Sequence, residues 1–149
     1  MEVKIETATI KLLDQLFQIE EQCFDQEAFS KHQIAYLLTD YNTIAFVAKV
    51  NEVIAGFIIA QVEVEENTEF GHIITINVVR NFRRKGIGKS LLLEIESILK
   101  EKGVEQSRLE VREDNHSAIN LYQTLGYKTI GKLENYYGKK HGVYFLKTF

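Results

Sequence analysis

The sequence predicts a single α+β domain, and three observations support this. Strand-like and helix-like segments follow one another in the order β, α, α, β, β, β, α, β, α, β, β. The chain has 149 residues, of which 45% are hydrophobic, and this is enough for one domain with a sizeable core. No repeat or low-complexity tract interrupts the pattern. We therefore expect one domain over residues 1–149.

Four strands and two helices are predicted before residue 80. The strand-like segments are Lys4–Thr9 (an edge strand), Ile44–Val50, Val53–Glu63 and Gly71–Val79. The helical segments have one apolar face; they are Lys11–Cys23 and Lys31–Leu38, the second with Ser30 as its N-cap. The two-residue connection Asn51-Glu52 predicts a hairpin, whereas the polar residues of Glu65–Glu69 predict a loop. Because Gly71–Val79 is almost entirely apolar, we expect a central strand buried on both faces.

Two helices and three strands are predicted in the remainder. Ser90–Lys102 has leucine and isoleucine at helical spacing, with Gly103 at the C-cap, and Ser117–Leu125 is a shorter helix that ends at Gly126. The strands are Arg108–Val111, Tyr127–Leu133 and Val143–Phe149.

The composition excludes several classes of protein. Eighteen basic and twenty-one acidic side chains give a net charge of −3, which is not the charge of a simple nucleic-acid coat. A single cysteine, Cys23, excludes an internal disulfide framework and a cysteine-based zinc site. The absence of proline excludes proline-rich linkers. No apolar segment has the length of an export signal or a membrane span, so we expect a soluble, cytoplasmic protein that binds no membrane.

A basic, glycine-containing turn follows the predicted central strand. Arg80–Lys89 (RNFRRKGIGK) carries five positive charges and two glycines directly before a helix, a geometry that favours phosphate binding. A P-loop would need glycine where Arg83 stands, and a dinucleotide-binding fingerprint would need glycine where Leu91 stands. A solvated basic turn without a ligand is the remaining alternative.

The turn and the residues after it resemble one known family. Arg83–Gly88 (RRKGIG) is similar to the acetyl-CoA signature (Q/R)xxGx(G/A) of the GNAT N-acetyltransferases. The later residues LEVR, Asn115, AI, LY and LGY, between Leu109 and Tyr127, are similar to a segment of RimI-like and Ard1-like protein N-terminal acetyltransferases. The resemblance covers nearly the whole chain. It implies the GNAT fold, a mixed central sheet of about seven strands flanked by about four helices.

The resemblance also implies a cosubstrate, acetyl-CoA, and the residues that bind it. The turn would wrap the CoA pyrophosphate through backbone N–H groups, and backbone at the end of the preceding strand would hold the acetyl carbonyl and the pantetheine arm. These residues are Val78, Val79, Arg80, Arg84, Lys85, Gly86, Ile87, Gly88, Lys89 and Ser90. Asn115 matches a position that contacts the CoA arm, and it can equally be the N-cap of the following helix.

Three residues match catalytic positions of the family. Tyr122 stands where the general acid protonates the departing thiolate, Glu110 where a glutamate is the general base, and His72 where a histidine or tyrosine assists a water relay. From the residues alone, each has another interpretation. Tyr122 can be a core tyrosine, Glu110 a surface residue of an edge strand, and His72 a buried, satisfied histidine.

The chemistry requires a free amine as nucleophile. An α-amino group has a pKa near 7.7–8.0 and a lysine near 10.4, so a weak base suffices for the former and less well for the latter. No metal is required, and the four histidines show no ligand spacing.

Four residues are expected to shape the acceptor site. The resemblance places Phe24 and Glu27 in a loop beside the first substrate residue, and Tyr136 and Tyr137 in a loop where tyrosines bind the peptide backbone. The two tyrosines can also be ordinary hairpin aromatics. A protein N-terminus is the favoured acceptor; the alternatives are a small amine or polyamine, or a CoA-sensing module without turnover. We expect no nucleic-acid partner, and a monomer or weak homodimer.

Overall fold

Seven strands form one sheet in the computed structural model, which describes residues 1–24 and 26–149. The strands are β1 Lys4–Thr7, β2 Thr43–Val50, β3 Val53–Glu65, β4 Thr68–Val78, β5 Gln106–Arg112, β6 Lys128–Tyr137 and β7 Lys140–Thr148. Their spatial order is β1-β2-β3-β4-β5-β7-β6. Neighbouring strands are antiparallel except β4 and β5, which are parallel. The predicted mixed sheet is confirmed, with β1 at one edge and β4 at its centre.

Four α-helices cover the two faces of the sheet. They are α1 Leu13–Cys23, α2 Lys31–Thr39, α3 Ile87–Glu101 and α4 His116–Thr124, with short 3₁₀ turns at Ile10–Leu12 and Arg80–Phe82. Two hydrophobic clusters show the layering: α1 and α2 pack on one face, and α3 and α4 on the other. We call these the α1/α2 face and the α3/α4 face. In the part of the chain that is described, no helix is long and apolar enough to cross a membrane.

The sequence predicts the helix ends well, with one informative exception. Ser30 caps α2 in a capping box with Gln33, as expected from its residue type. Helix α3, however, begins at Ile87 rather than at Ser90. The second half of the glycine turn is therefore the first helical turn, because Gly86 (φ +82°) reverses the chain immediately before it.

Two predicted loops are wrong, and in both places the chain remains in the sheet. The expected loop Glu65–Glu69 is a tight hairpin in which only Glu66 and Asn67 connect β3 to β4. Both have positive φ, as a type I′ turn requires and as asparagine tolerates. The predicted hairpin at Asn51-Glu52 is confirmed and has the same backbone signs. In both hairpins the polar residues occupy strand ends as well as the turn. A polar segment such as Glu65–Glu69 therefore does not indicate a loop of the same length.

The second wrong loop concerns the tyrosine pair near the end of the chain. Strand β6 continues to Tyr137, so Asn135, Tyr136 and Tyr137 lie in the strand rather than in a loop between strands. The pairing with β7 is irregular between Leu133 and Tyr137, and Asn135 has φ +53°. The segment has a loop-like sequence because it forms a bulge, but it remains in the sheet.

Candidate active site

The strands β4 and β5 separate soon after they meet. Their ladder consists of two pairs, Gly71 with Ser107 and His72 with Arg108, within the described residues. Both strands run on in the same direction, to Val78 and Arg112. We call the space beyond the pairing the strand gap. Parallel strands that are not hydrogen-bonded to each other leave backbone groups free for a ligand.

The end of β4 directs backbone groups toward the strand gap. The N–H of Val79 donates to the carbonyl of Ala55 on β3, at 2.8 Å. Successive residues of a strand direct their backbone groups to opposite sides, so the N–H of Val78 points away from β3. The carbonyl of Val78 also points away from β3 and accepts from Nε of Arg83 at 3.0 Å. Arg80 follows in the exposed 3₁₀ turn.

The basic glycine turn presents free N–H groups at the start of α3. Among the described residues no side chain caps this helix, so the N–H groups of Ile87, Gly88 and Lys89 are open. Ser90 is different, because both its N–H and its hydroxyl donate to the carbonyl of Gly86 at 3.0 Å. The positive end of the helix dipole adds to the attraction for an anion.

Close packing explains the second glycine of the turn. A Cβ at Gly88 would lie 3.2 Å from Cδ2 of Leu121 on α4 and 3.7 Å from Val78. Even an alanine would require the side chain of Leu121 to shift by a few tenths of an ångström. Arg84 and Lys85 are exposed at the rim, and Arg84 has φ +61°. The turn therefore joins open N–H groups, positive charge and close backbone approach, which together fit a phosphate-bearing ligand such as CoA.

A cleft of about 370 Å³ lies on the α1/α2 face. Its walls come from the sheet, from α2 and from the segment before it: Phe29, Gln33, Tyr36, Leu37, His72, Ile74, Glu110 and Tyr136. The structure thus brings three of the predicted site residues, His72, Glu110 and Tyr136, into one cavity. The α2 residues of this wall were not predicted from the sequence, because helical periodicity identifies the buried face and not the rim beside it.

His72 lies between two carboxylates that come from the strands on either side. Its Nε2 is 2.8 Å from Oε1 of Glu110 on β5, and its Nδ1 is 2.8 Å from Oε2 of Glu63 on β3. Glu110 alternates with Leu109 and Val111, which are buried on the α3/α4 face. Strand β5 is flanked by β4 and β7, so the alternative that Glu110 belongs to an edge strand is wrong.

The two carboxylates determine the protonation of His72. Burial alone would lower the pKa of the imidazole, but hydrogen bonds and charge interactions with Glu110 and Glu63 outweigh it. The pKa of His72 therefore lies above its ordinary value of 6.5. The imidazolium form donates from both ring nitrogens, one to each carboxylate.

Tyr122 lies on the opposite face of the sheet from Glu110. Its ring packs against Tyr127 and Phe145, with centroids 6.0 and 6.2 Å away, and the residue is 5% exposed. Among the described residues its hydroxyl has no hydrogen-bond partner. Burial raises the pKa of Tyr122, so the phenol stays protonated at neutral pH. Burial also raises the pKa of Tyr137.

Asn115 and Glu27 are held by neighbouring groups. Oδ1 of Asn115 accepts from the N–H of Ala118 at 3.2 Å, which confirms its interpretation as the N-cap of α4 and leaves its amide N–H₂ exposed. Oε1 of Glu27 accepts from Arg112 at 3.0 Å. Arg112 also forms two hydrogen bonds with Asp114, at 2.9 and 2.8 Å, and these lower the pKa of Asp114 to about 2.

The aromatic residues predicted for the acceptor site differ in exposure. Tyr136 and Tyr137 contact each other edge to face, with centroids 4.8 Å apart, and Tyr136 is 53% exposed. Phe24 is half-buried directly after α1 and does not line the cleft. Phe29, five residues later, takes a place in the cleft wall. The predicted loop also contains residue 25, which lies outside the described residues.

A buried polar network below the cleft was not predicted. Glu20 is 1% exposed; its Oε1 accepts from Thr75 at 2.8 Å and from Asn77 at 3.1 Å. Its Oε2 accepts from the N–H of Phe29 at 3.2 Å. Burial raises the pKa of Glu20, although these hydrogen bonds oppose the shift. The sequence signal for this network is Glu20 itself, a glutamate at a position of α1 where the helical periodicity predicts an apolar residue.

The network depends on an irregularity in β4. The register with β3 shifts between Ile59 and Ala60, so that Ile74 is an extra residue in β4. As a result Ile74 lines the cleft while Thr75 and Asn77 contact Glu20 on the same face. Oδ1 of Asn77 is buried without a hydrogen-bond partner among the described residues.

Comparison with known proteins identifies the family to which the chain belongs. The sequence model of the acetyltransferase (GNAT) family matches residues 12–127. An N-alpha-acetyltransferase of Sulfurisphaera tokodaii is 30% identical over 154 residues, which cover 97% of this chain and 92% of the relative. A ribosomal protein bS18-alanine N-acetyltransferase of Haemophilus influenzae is 40% identical over 92 residues, or 62% of this chain and 60% of the relative.

A solved structure gives the same result for the fold. Ard1 from Thermoplasma volcanium superimposes with a TM-score of 0.87 at 25% identity, covering 99% of this chain and 98% of that one. The predicted fold, the predicted resemblance and the prediction of an N-acetyltransferase enzyme are thus confirmed. The chain belongs to the acetyltransferase (GNAT) family.

Proposed function

We propose that this protein transfers the acetyl group of acetyl-CoA to the N-terminal α-amino group of a protein or peptide. The observation that carries the proposal is the cleft in which His72, Glu110 and Tyr136 meet beside the strand gap. Such a cleft can accept a chain end next to a base. The relatives named N-alpha-acetyltransferase and ribosomal protein alanine N-acetyltransferase support the same class of acceptor.

The glycine turn and the strand gap are proposed to hold acetyl-CoA. The open N–H groups of Ile87, Gly88 and Lys89 would bind the pyrophosphate, with Arg84 and Lys85 adding positive charge. The N–H of Val78 would donate to the thioester oxygen, where negative charge develops during attack. The exposed amide of Asn115 would donate to the CoA arm. When bound, acetyl-CoA supplies an activated acetyl group, so no metal is needed.

Glu110 is proposed to take the proton of the acceptor amine, directly or through a water, with His72 as its partner. Both groups line the cleft, and a 2.8 Å hydrogen bond joins them. Because an α-amine has a pKa near 8, a substantial fraction is already deprotonated at neutral pH. A weak carboxylate base then suffices, which is why this arrangement favours an α-amine over a lysine side chain.

Tyr122 is proposed to protonate the departing CoA thiolate. Its hydroxyl is without a partner among the described residues, and burial keeps the phenol protonated. The departing thiolate carries negative charge, so a positioned phenol stabilises it by a hydrogen bond and neutralises it by transferring a proton.

The acceptor's first residues are proposed to lie between Tyr136 and the α2 wall. Tyr136 and Tyr137 would hydrogen-bond the peptide backbone, and Glu27, fixed by Arg112, would border the first residue. On the aromatic side Phe29 would border it rather than Phe24, because Phe29 lines the cleft and Phe24 does not. The four glutamates between Glu63 and Glu69 could attract a polyamine, but two of them are engaged, because Glu63 binds His72 and Glu65 binds Arg108 at 3.2 Å. This pairing favours the peptide over the polyamine.

The test is incubation of the protein with acetyl-CoA and a panel of peptides with different N-termini, read by mass spectrometry. Each peptide also carries an internal lysine, so that α- and ε-acetylation are distinguished by fragmentation. We expect acetylation of an α-amine. Acetylation of spermidine with no peptide modified would contradict the proposal in favour of a small amine. CoA binding without any transfer would favour a module without turnover.

A further inference from the structure

Three side chains form a continuous hydrogen-bonded line across the sheet on the α1/α2 face. Glu110 on β5, His72 on β4 and Glu63 on β3 are joined by two contacts of 2.8 Å. Their side-chain exposure increases along the line, from 18% at Glu110 to 21% at His72 and 38% at Glu63. The line therefore leads from the cleft to the solvent.

We propose that Glu63 is the proton outlet of the acceptor site, acting through His72. The inference rests on the proposed function, since it concerns the proton that the α-amine releases. Glu63 does not line the cleft in which the acceptor is proposed to bind, so it is a positioning and proton-accepting residue rather than a catalytic one.

The proton balance of the step is simple. The amine nitrogen forms a bond to the acetyl carbonyl carbon and loses one proton to the carboxylate of Glu110. With His72 neutral and its single proton on Nδ1, Glu110 passes a proton to Nε2 while the Nδ1 proton moves to Glu63, and Glu63 releases it to solvent. Exchange of the remaining ring proton with water then returns His72 to its starting tautomer. The two ring nitrogens of the imidazole face different partners, so the ring can receive a proton on one side and donate on the other. Nothing is oxidised or reduced.

The geometry explains why an outlet is useful here. Glu110 is shielded by the walls of the cleft, and a bound acceptor would shield it further. A proton held there after transfer would have to leave before the next turnover. Nδ1 of His72 faces β3, away from the cleft, and its partner Glu63 is the most exposed member of the line.

Other charged and titratable groups surround the line. On β3, Glu65 pairs with Arg108 of β5, and Arg108 lies over the ring of Phe70 with 3.9 Å between Cζ and the ring centroid. Tyr144 of β7 contacts Arg108 and is in register with Glu110. Tyr136 of β6 and Tyr36 of α2 face the cleft. Within the described residues, Glu63 and Glu110 are the side chains that hydrogen-bond His72.

The experiment compares Glu63→Gln with Glu65→Gln in the full chain. Both variants remove one carboxylate from the same face of β3, and only the first removes the acceptor on Nδ1 of His72. With the peptide that wild type acetylates best, we expect kcat of Glu63→Gln to fall about tenfold with KM for the peptide little changed, a smaller loss than the ~10²–10⁴-fold attributed to a positioned acid or base. Glu65→Gln should retain wild-type kcat.

The pH profile separates an outlet from a structural role. Removal of the Glu63 charge lowers the affinity of His72 for protons, so the acid limb of kcat in Glu63→Gln should move to lower pH while its plateau drops. Added formate should restore part of kcat in Glu63→Ala by taking the proton, and should not affect Glu65→Ala. Unchanged kcat in Glu63→Gln, or reduced kcat with neither a shifted limb nor rescue, would overturn the proposal. Failure of the wild type to acetylate any peptide would instead overturn the proposed function, and NMR titration of His72 in Glu63→Gln would still show whether Glu63 controls its protonation.

Discussion

Glu110 and Tyr122 lie on opposite faces of the central sheet. Glu110 faces the cleft beside α2, whereas its neighbours Leu109 and Val111 belong to the hydrophobic cluster that contains Tyr122. A proton acceptor and a proton donor separated by a sheet can act on one reaction only where the sheet is open. The separation of β4 from β5 beyond His72 provides that opening. The amine would lose its proton to Glu110 on one face, and the thiolate would receive a proton from Tyr122 on the other. The proton removed from the amine need not be the one that reaches the thiolate.

Removal of the Tyr122 hydroxyl should affect chemistry and not folding. In Tyr122→Phe we expect kcat to fall by about 10²-fold or more, with the Kd for CoA little changed, because the ring packing is kept. Stability should be unaffected, since among the described residues the hydroxyl has no partner to lose. Steady-state kinetics, CoA titration calorimetry and urea unfolding measure the three quantities.

The matched control is Tyr127→Phe, the neighbouring buried tyrosine. The hydroxyl of Tyr127 is 2.8 Å from Ser107 and 3.1 Å from Glu96, so its loss should lower the free energy of unfolding by about 1–3 kcal/mol. We expect kcat to be retained. If Tyr122→Phe has the wild-type rate, Tyr122 is not the acid.

A charged side chain at the start of α3 should abolish CoA binding. Gly86 has φ +82° with open space around it, and a glutamate there would place negative charge where the pyrophosphate is proposed to bind. Gly103→Glu is the control, because Gly103 has φ +78°, the same open surroundings and a place at the far end of α3. Both variants carry the strain of a left-handed residue, about 1–2 kcal/mol. Retained CoA binding in Gly86→Glu, measured by calorimetry, would mean that the turn is misassigned.

Most of the fold could be predicted from the sequence, since the helices and strands have clear periodicities. The apolar segment Gly71–Val79 and the leucine-rich helix after it directly predicted the centre of the sheet and its α3/α4 cover. Predictions failed where polar residues occupy regular structure. Glu65–Glu69 was interpreted as a loop although only Glu66 and Asn67 connect the two strands, and Tyr136 and Tyr137 were placed in a loop although they lie in a bulged strand.

The individual residues of the site were easier to predict than their contacts. His72 and Glu110 were selected by resemblance, and the structure joins them. Glu63 was missed as a partner of His72 because the contact is diagonal across β3 and β4 and depends on their register. This register is set by the tight turn at Glu66-Asn67, which was not predicted from the sequence. Glu20 stands at a buried position of the apolar periodicity of α1, but nothing in the sequence indicates Thr75 and Asn77 as its partners.

The stability of the protein should depend on pH through His72. Its pKa is raised in the folded state, so the stabilisation from its two carboxylates is complete below the ordinary value of 6.5 and is lost as the pH rises through the higher folded-state value. The difference in unfolding free energy between wild type and His72→Gln should therefore decrease with rising pH across this window. Urea titrations at several pH values measure it. A difference that is constant with pH would contradict the assigned ion pairs.

Loss of the buried carboxylate of Glu20 should weaken acceptor binding as well as folding. Glu20 fixes the N–H of Phe29, which lines the cleft, and its other oxygen accepts from Thr75 and Asn77 of β4. In Glu20→Ala these buried donors lose their acceptor, so the free energy of unfolding should fall by about 1–3 kcal/mol. The KM for the acceptor peptide should rise, because one wall of the cleft is released, while the KM for acetyl-CoA changes little. Glu21→Ala, which removes the exposed carboxylate next to it, should change none of these. Equal effects on both KM values would show that Glu20 supports the sheet as a whole and does not position the acceptor wall.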